Sequence, residues 1–130
     1  IIETGEVKLF RSHNDSYKDG EQLRDFIYVK DVVDVLTIIM LNKPSSGIYN
    51  LGSGRAFTFN ELVGFIFKTM NRKSNVIYID TPIDIRDKYQ YFTEADMKKL
   101  FNIGYDISFT SLEKGIKDYV QNYLLKGDYF

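Results

Sequence analysis

Hydrophobic and polar positions switch between two periods along the chain, and the switches mark its elements. Val7 and Leu9 alternate with Glu6 and Lys8, which predicts a strand over residues 6–10. Residues 11–22 are polar and carry Asn14-Asp15-Ser16 and Asp19-Gly20, a long surface loop of the kind that often carries function. Phe26, Tyr28 and Val29 are β-formers and predict a second strand. Val32, Val33, Val35, Leu36, Ile39 and Met40 then recur at helical spacing, a helix from about Asp31 to Asn42. Asp31 and Asp34 suit the positive end of its dipole, and Pro44 and Gly47 stop it. Ile48 to Leu51 predicts a brief buried strand, with Gly52-Ser53-Gly54 turning out of it.

The second half repeats the alternation of periods. Thr58-Phe59-Asn60-Glu61 has the form of a capping box and opens a helix to about Asn71, with Leu62, Phe65, Ile66 and Thr69 on one face. Val76 to Ile79 predicts a strand, and residues 80–88 an irregular, charged loop around Pro82. Thr93 is expected to cap a short helix over 94–101 that Gly104 ends. Thr110-Ser111-Leu112-Glu113 reads as a second capping box, with Leu112, Ile116, Tyr119, Val120 and Tyr123 as the stripe of a last helix. Three main helices and about four short strands, with no internal repeat, give a small α/β unit: one lobe packed beside a doubly wound sheet that this chain lacks.

Composition narrows the function classes. The 130 residues suit one domain, and 44% hydrophobic with 27% charged positions is ordinary for a globular protein. A net charge of −1 with interspersed signs argues against a nucleic-acid partner. No apolar run approaches the ~18–20 residues that span a bilayer, and no targeting segment opens the chain, so a cytoplasmic location is expected. The absence of cysteine excludes disulfides, zinc-thiolate sites and a cysteine nucleophile, and a lone His13 excludes a histidine-rich metal site. Ten tyrosines and ten phenylalanines point chiefly to aromatic packing, with a few free to serve as a sugar or base platform. The chain opens without methionine and shows neither a glycine-rich dinucleotide loop after a strand nor a Tyr-x-x-x-Lys pair.

Candidate chemistry gathers around Arg24, just before the predicted second strand. A guanidinium held there can fork onto a phosphate, or pair with Asp25 or Glu21 as a surface salt bridge worth ~0–1 kcal/mol. The amides of Gly52-Ser53-Gly54 can approach an anion or serve the turn alone. Asn50, expected to be buried, can satisfy loop backbone groups near Arg24. Asp31 reads as a helix-start residue and not a base.

The run Arg24-Asp25-Phe26-Ile27-Tyr28-Val29-Lys30-Asp31-Val32 resembles a motif of the extended short-chain dehydrogenase/reductase superfamily, the nucleotide-sugar epimerases and dehydratases. Gly47 to Gly54 is similar to that superfamily's next landmark. Tyr89 to Asp96, Gly104-Tyr105-Asp106 and Leu112 to Tyr119 are similar to the branch that epimerises ADP-heptose. The resemblance runs from about Val7 to Tyr123 and implies the substrate-binding lobe of an NADP-dependent nucleotide-sugar epimerase, an isomerase of lipopolysaccharide core synthesis and a homo-oligomer. It implies that the NADP-binding half and the catalytic groups lie upstream, leaving no catalytic, cofactor or metal residue here and a lobe inactive alone. It further implies substrate contacts for Arg24, for Tyr89 and for Phe10-Arg11-Ser12-His13, which stands where relatives commonly have Phe-Glu-Gly-Ser. Arg11 then offers a second phosphate donor, and Gln90 a structural hydrogen bond. The alternatives are an enzyme acting on another nucleotide-sugar, or a noncatalytic nucleotide-sugar-binding or oligomerisation module. A lobe detached from its cofactor half is expected to expose an apolar face and self-associate.

Overall fold

The parallel pairing of β1 (Val7–Phe10) with β4 (Val76–Ile79) sets the frame, in register from Val7 opposite Val76 to Phe10 opposite Ile79. This is a computed structural model, and it describes residues 1–104 and 108–127. Alternation along β1 buries Leu9 against Val63 and Phe67 of α2 (Phe59–Thr69), with Phe59, Val76 and Tyr78 closing that core. The expected capping box starts α2: the Thr58 hydroxyl accepts from the Glu61 amide at 3.1 Å, and the Glu61 carboxylate accepts from the Thr58 amide at 2.8 Å. A second sheet pairs β2 (Leu23–Asp25) antiparallel with β3 (Ala56–Thr58). Helix α1 (Val29–Asn42) follows β2 and buries Val35 against Met97 and Leu100, a second core that also holds Ile39, Tyr49 and Leu51. The order ends with α3 (Ile83–Arg86), α4 (Lys98–Phe101), α5 (Leu112–Tyr119) and a π-helical segment, Val120–Leu124. The result is a small mixed α/β lobe.

Several expected elements differ, each for a physical reason. The second strand is Leu23–Asp25 and not Phe26–Val29, because only the earlier residues meet a partner, the unforeseen β3. Arg24 therefore sits on a strand. Ile48 to Leu51 forms no strand: no segment among the described residues pairs with it, and Ile48 is 87% exposed. The helix expected over 94–101 shrinks to α4, since upstream groups are engaged elsewhere. The Thr93 amide donates to Leu23 O at 3.2 Å, the Glu94 carboxylate accepts from the Ala56 amide at 2.9 Å, and Ala95 N donates to Asp25. The loop over 80–88 contains the single turn α3. On α2 the deepest residues are Val63 and Phe67, not the Leu62 to Thr69 face. Asn50 is exposed and donates to Asp96 O at 3.3 Å. Of the Gly104-Tyr105-Asp106 motif, Gly104 (φ +86°) follows α4 as expected, while Tyr105 and Asp106 lie outside the described residues.

The last helix is pinned to the first. Ser111, not Thr110, caps α5, accepting from Lys114 N at 3.4 Å. Thr110 instead donates its amide and hydroxyl to the buried Asp31 carboxylate, both at 2.7 Å, so Asp31 ties α1 to α5 beyond its helix-start role. Gly115 admits the Tyr28 ring, whose Cγ would lie 3.1 Å from a Cβ at that position. Asp118 accepts from Lys30 at 2.8 Å and from the Tyr28 hydroxyl.

The outward face of α1 is apolar. Val33 is 51% exposed, Leu36 57% and Met40 66%, spaced along one side of the helix. The 130-residue chain is therefore expected to self-associate, and Leu36→Glu with Met40→Glu to reduce the association. Light scattering across a concentration series checks this, and a clean monomer at every concentration contradicts it.

Candidate functional site

Neighbouring residues of a strand point to opposite sides, so β2 sends Arg24 one way and Asp25 the other. The Arg24 side opens on a cleft of about 380 Å³ that Lys8, Leu9, Phe10, Gln22, Phe59 and Tyr89 line with it. Arg24 Nη1 donates to its neighbour's carbonyl, Leu23 O, at 2.7 Å, and Nη2 donates to Gln90 O. Its guanidinium lies 5.3 Å from the Tyr89 ring centroid and 5.9 Å from that of Phe59. No ion pair joins it to Asp25 or Glu21 among the described residues. Lys8 and Arg24 thus bring two cations to a lining that contains no carboxylate, and the remaining guanidinium N–H groups can serve an anion.

Tyr89 and Phe10 meet Arg24 in that cleft, with ring centroids 6.2 Å apart edge to face. Burial pushes the Tyr89 phenol above its ordinary pKa while the Arg24 charge opposes the shift. Arg11, Ser12 and His13 do not line the cleft. Arg11 reaches Asp80 at 3.9 Å across an exposed surface. The Ser12 amide donates to Asp19 Oδ1 and its hydroxyl to Asn14 O, both at 2.8 Å, and the His13 amide donates to the Tyr91 hydroxyl at 2.9 Å. These residues fold the loop beside the cleft. Lys8, Gln22, Phe59 and Tyr91 were not singled out from sequence. Lys8 was readable, since it alternates with buried Leu9; Phe59 follows a capping threonine and reads as a helix start.

On the other side, Asp25 organises three segments. Its carboxylate accepts from the Ser53 amide and hydroxyl, both at 2.6 Å, from Gly54 N at 3.0 Å and from Ala95 N at 3.1 Å. Burial alone would raise its pKa, but the Ser53 hydroxyl and the amides of Ala95, Ser53 and Gly54 outweigh it and hold the group below the ordinary value. The anion that the Ser53 and Gly54 amides approach is therefore the chain's own, while the Gly52 amide donates to Met97 Sδ at 3.3 Å. A Cβ at Gly52 would lie 2.4 Å from Asp25 Oδ2 and 2.6 Å from Ala95 Cβ, so the approach requires glycine. The adjoining recess of about 500 Å³ is lined by Asp25, Glu94 and Asp96, a poor place for a phosphate.

Other chemistries find less support. No group of three metal-ligating side chains is assembled among the described residues, and no described helix is long and apolar enough to cross a membrane. Tyr28 and Lys30 come together, but burial and the bond to Asp118 push the Tyr28 phenol up to about 12, unsuited to a base near neutrality. The joins from β2 to α1, from β3 to α2 and from β4 to α3 contain no glycine, so none can cradle a dinucleotide phosphate.

Residues 3–52 match the model of the NAD dependent epimerase/dehydratase family. The ADP-L-glycero-D-manno-heptose-6-epimerase of Fusobacterium nucleatum is 49% identical over 97% of this chain, and that of Nitratidesulfovibrio vulgaris strain DP4 46% identical over all of it. The chain spans 40% of each of these relatives. Among solved structures, the Helicobacter pylori ADP-L-glycero-D-manno-heptose-6-epimerase superposes with a TM-score of 0.71 at 32% identity, over 93% of this chain and 34% of that one. The Thermotoga maritima UDP-glucose 4-epimerase, solved with UDP-glucose, gives 0.73 at 27% identity over 94% and 35%.

Loss of the Asp25 charge should loosen both loops at once. Asp25→Asn is expected to cost about 2 kcal/mol, the scale of hydrogen bonds to a charged group. Because the folded pKa lies below the unfolded value of 3.8, the carboxylate's contribution is full above that value and fades as pH falls through the folded pKa. Urea midpoints measured from pH 7 to 3 check this: the acid-side loss should shrink in Asp25→Asn, and an unchanged profile contradicts it.

Proposed function

We propose that the chain belongs to the NAD dependent epimerase/dehydratase family, whose model matches residues 3–52, and that it is the substrate-binding domain of a nucleotide-sugar epimerase. Its cofactor-binding Rossmann domain lies upstream of Ile1, and the two-fifths coverage of its relatives supports that division. The observation that carries the reading is the Arg24 cleft, where two cations and no carboxylate stand among Phe10, Phe59 and Tyr89. A nucleotide-sugar offers a diphosphate to the cations and flat or apolar surfaces to the rings. Arg24 binds the diphosphate, and Tyr89 and Phe10 bound its position. The loop residues Arg11, Ser12 and His13 complete the site when substrate is bound, since Tyr91 joins their loop to Tyr89.

The substrate is ADP-heptose, which the names of the relatives at 46–49% identity favour. A UDP-sugar is the second reading, favoured by the superposition on an epimerase solved with UDP-glucose. The nicotinamide cofactor is NADP, held entirely by the upstream domain, since no strand-to-helix join here fits its phosphates. This chain binds and orients substrate and is inactive alone.

In the full-length protein, Arg24→Ala is expected to raise KM for ADP-heptose about ten- to a hundredfold, the loss of charge-assisted hydrogen bonds. Steady-state kinetics with ADP-heptose and UDP-glucose checks it. An unchanged KM in Arg24→Ala contradicts the diphosphate role, preference for UDP-glucose overturns the ADP-heptose assignment, and turnover by the 130-residue chain alone overturns its assignment as a partial unit.

A further inference from the structure

We infer that Phe59 is a positioning residue for Arg24, holding the plane of its guanidinium before any ligand arrives; this rests on the proposed binding role of Arg24. Phe59 is the first residue of α2, and its amide donates to Gln22 O at 3.3 Å, which ties the helix start to the residue two before Arg24. The Gln22 side chain, 1% exposed, donates to Phe10 O at 3.2 Å and fixes that segment against β1. From this anchored backbone the Phe59 ring reaches the guanidinium at 5.9 Å, with Tyr89 on it at 5.3 Å. Phe26 meets Phe59 edge to face at 5.6 Å.

These contacts divide the work of fixing a flexible side chain. The carbonyls of Leu23 and Gln90 hold the η nitrogens of the guanidinium, and the two rings restrict its plane. Arginine alone loses side-chain entropy when it binds an anion, and a guanidinium already held loses less. Phe59 also packs into the first core, so truncation that merely empties space would be uninformative. The informative changes keep a large side chain and alter the ring: Phe59→Leu removes the π face, whereas Phe59→Tyr retains it.

Two measurements on the full-length protein decide the matter. The first is KM for ADP-heptose. Phe59→Leu is expected to raise it about three- to tenfold with kcat little changed, the scale of a cation–π contact. Phe59→Tyr should stay near wild type, and Phe59→Leu should add nothing in an Arg24→Ala background. The second is NMR of labelled arginine, where the Arg24 Nε–H should carry a ring-current shift that Phe59→Leu changes, the part from Tyr89 remaining. A lower Tm in Phe59→Leu with unchanged KM and an unmoved Arg24 signal overturns the inference, as does a KM effect that persists without Arg24. Should Arg24→Ala alone leave KM unchanged, the binding reading fails, and the NMR signal still decides whether Phe59 positions the guanidinium.

Discussion

The Asp25 carboxylate is the constraint on which the rest depends. A three-residue strand paired with another three-residue strand has few ladder bonds to hold its orientation. Asp25 supplies what the ladder lacks, because four donors from the Gly52 turn and the Ala95 segment converge on it. Bonds to an ionised acceptor are stronger than neutral ones, and here they fix the strand against rotation about its axis. Arg24 is the next residue back and projects to the opposite side, so the carboxylate that never meets the cleft still sets where the guanidinium points. The bare Cα of Gly52 serves the same end, since any side chain there would displace the acceptor.

The strand also separates charge. Lys8 and Arg24 stand on the cleft side, while Asp25, Glu94 and Asp96 line the recess on the other. An anionic ligand is attracted to one face of β2 and repelled from the other, which directs a diphosphate without help from the net charge of −1. The Ser53 and Gly54 amides, which in isolation resemble an anion site, are taken by Asp25 and the Gly52 amide by the Met97 sulfur, which leaves the cleft as the place where a phosphate is welcome.

What could be read from the sequence follows how local each signal is. The β1 and β4 strands, the Thr58 capping box and the body of α1 rest on periodicity or on residues three apart, and all appear as expected. Arg24 is a candidate from its position and from a family resemblance, Phe10 and Tyr89 from the resemblance alone, and the fold gathers them from three distant segments. The misplacements are tertiary. β2 and β3 are too short to carry a period and exist because they meet each other; the helix expected at residue 94 is lost to bonds made by Glu94 and Ala95 with distant partners. Phe59 was invisible as a site residue because nothing local distinguishes a ring that covers a core from one that also covers a guanidinium.

Ile48 to Leu51 shows the opposite failure, a strong local signal left unused. Its β-forming pattern predicts a buried strand, but strand propensity is realised only when a neighbour supplies the ladder and covers a face. Here Ile48 is exposed and no described segment pairs with it. The apolar stripe of α1 is uncovered as well, although Val35 on the buried side of that helix packs in the same core as Tyr49 and Leu51. The exposed Ile48 and the uncovered stripe of α1 are the apolar surfaces that the proposed upstream domain would cover. The Arg24 cleft has its own support in Asp25, Gln22 and Phe59, and none of these side chains lies on that uncovered stripe. The uncovered stripe and the scaffold that shapes the cleft are therefore different parts of the molecule.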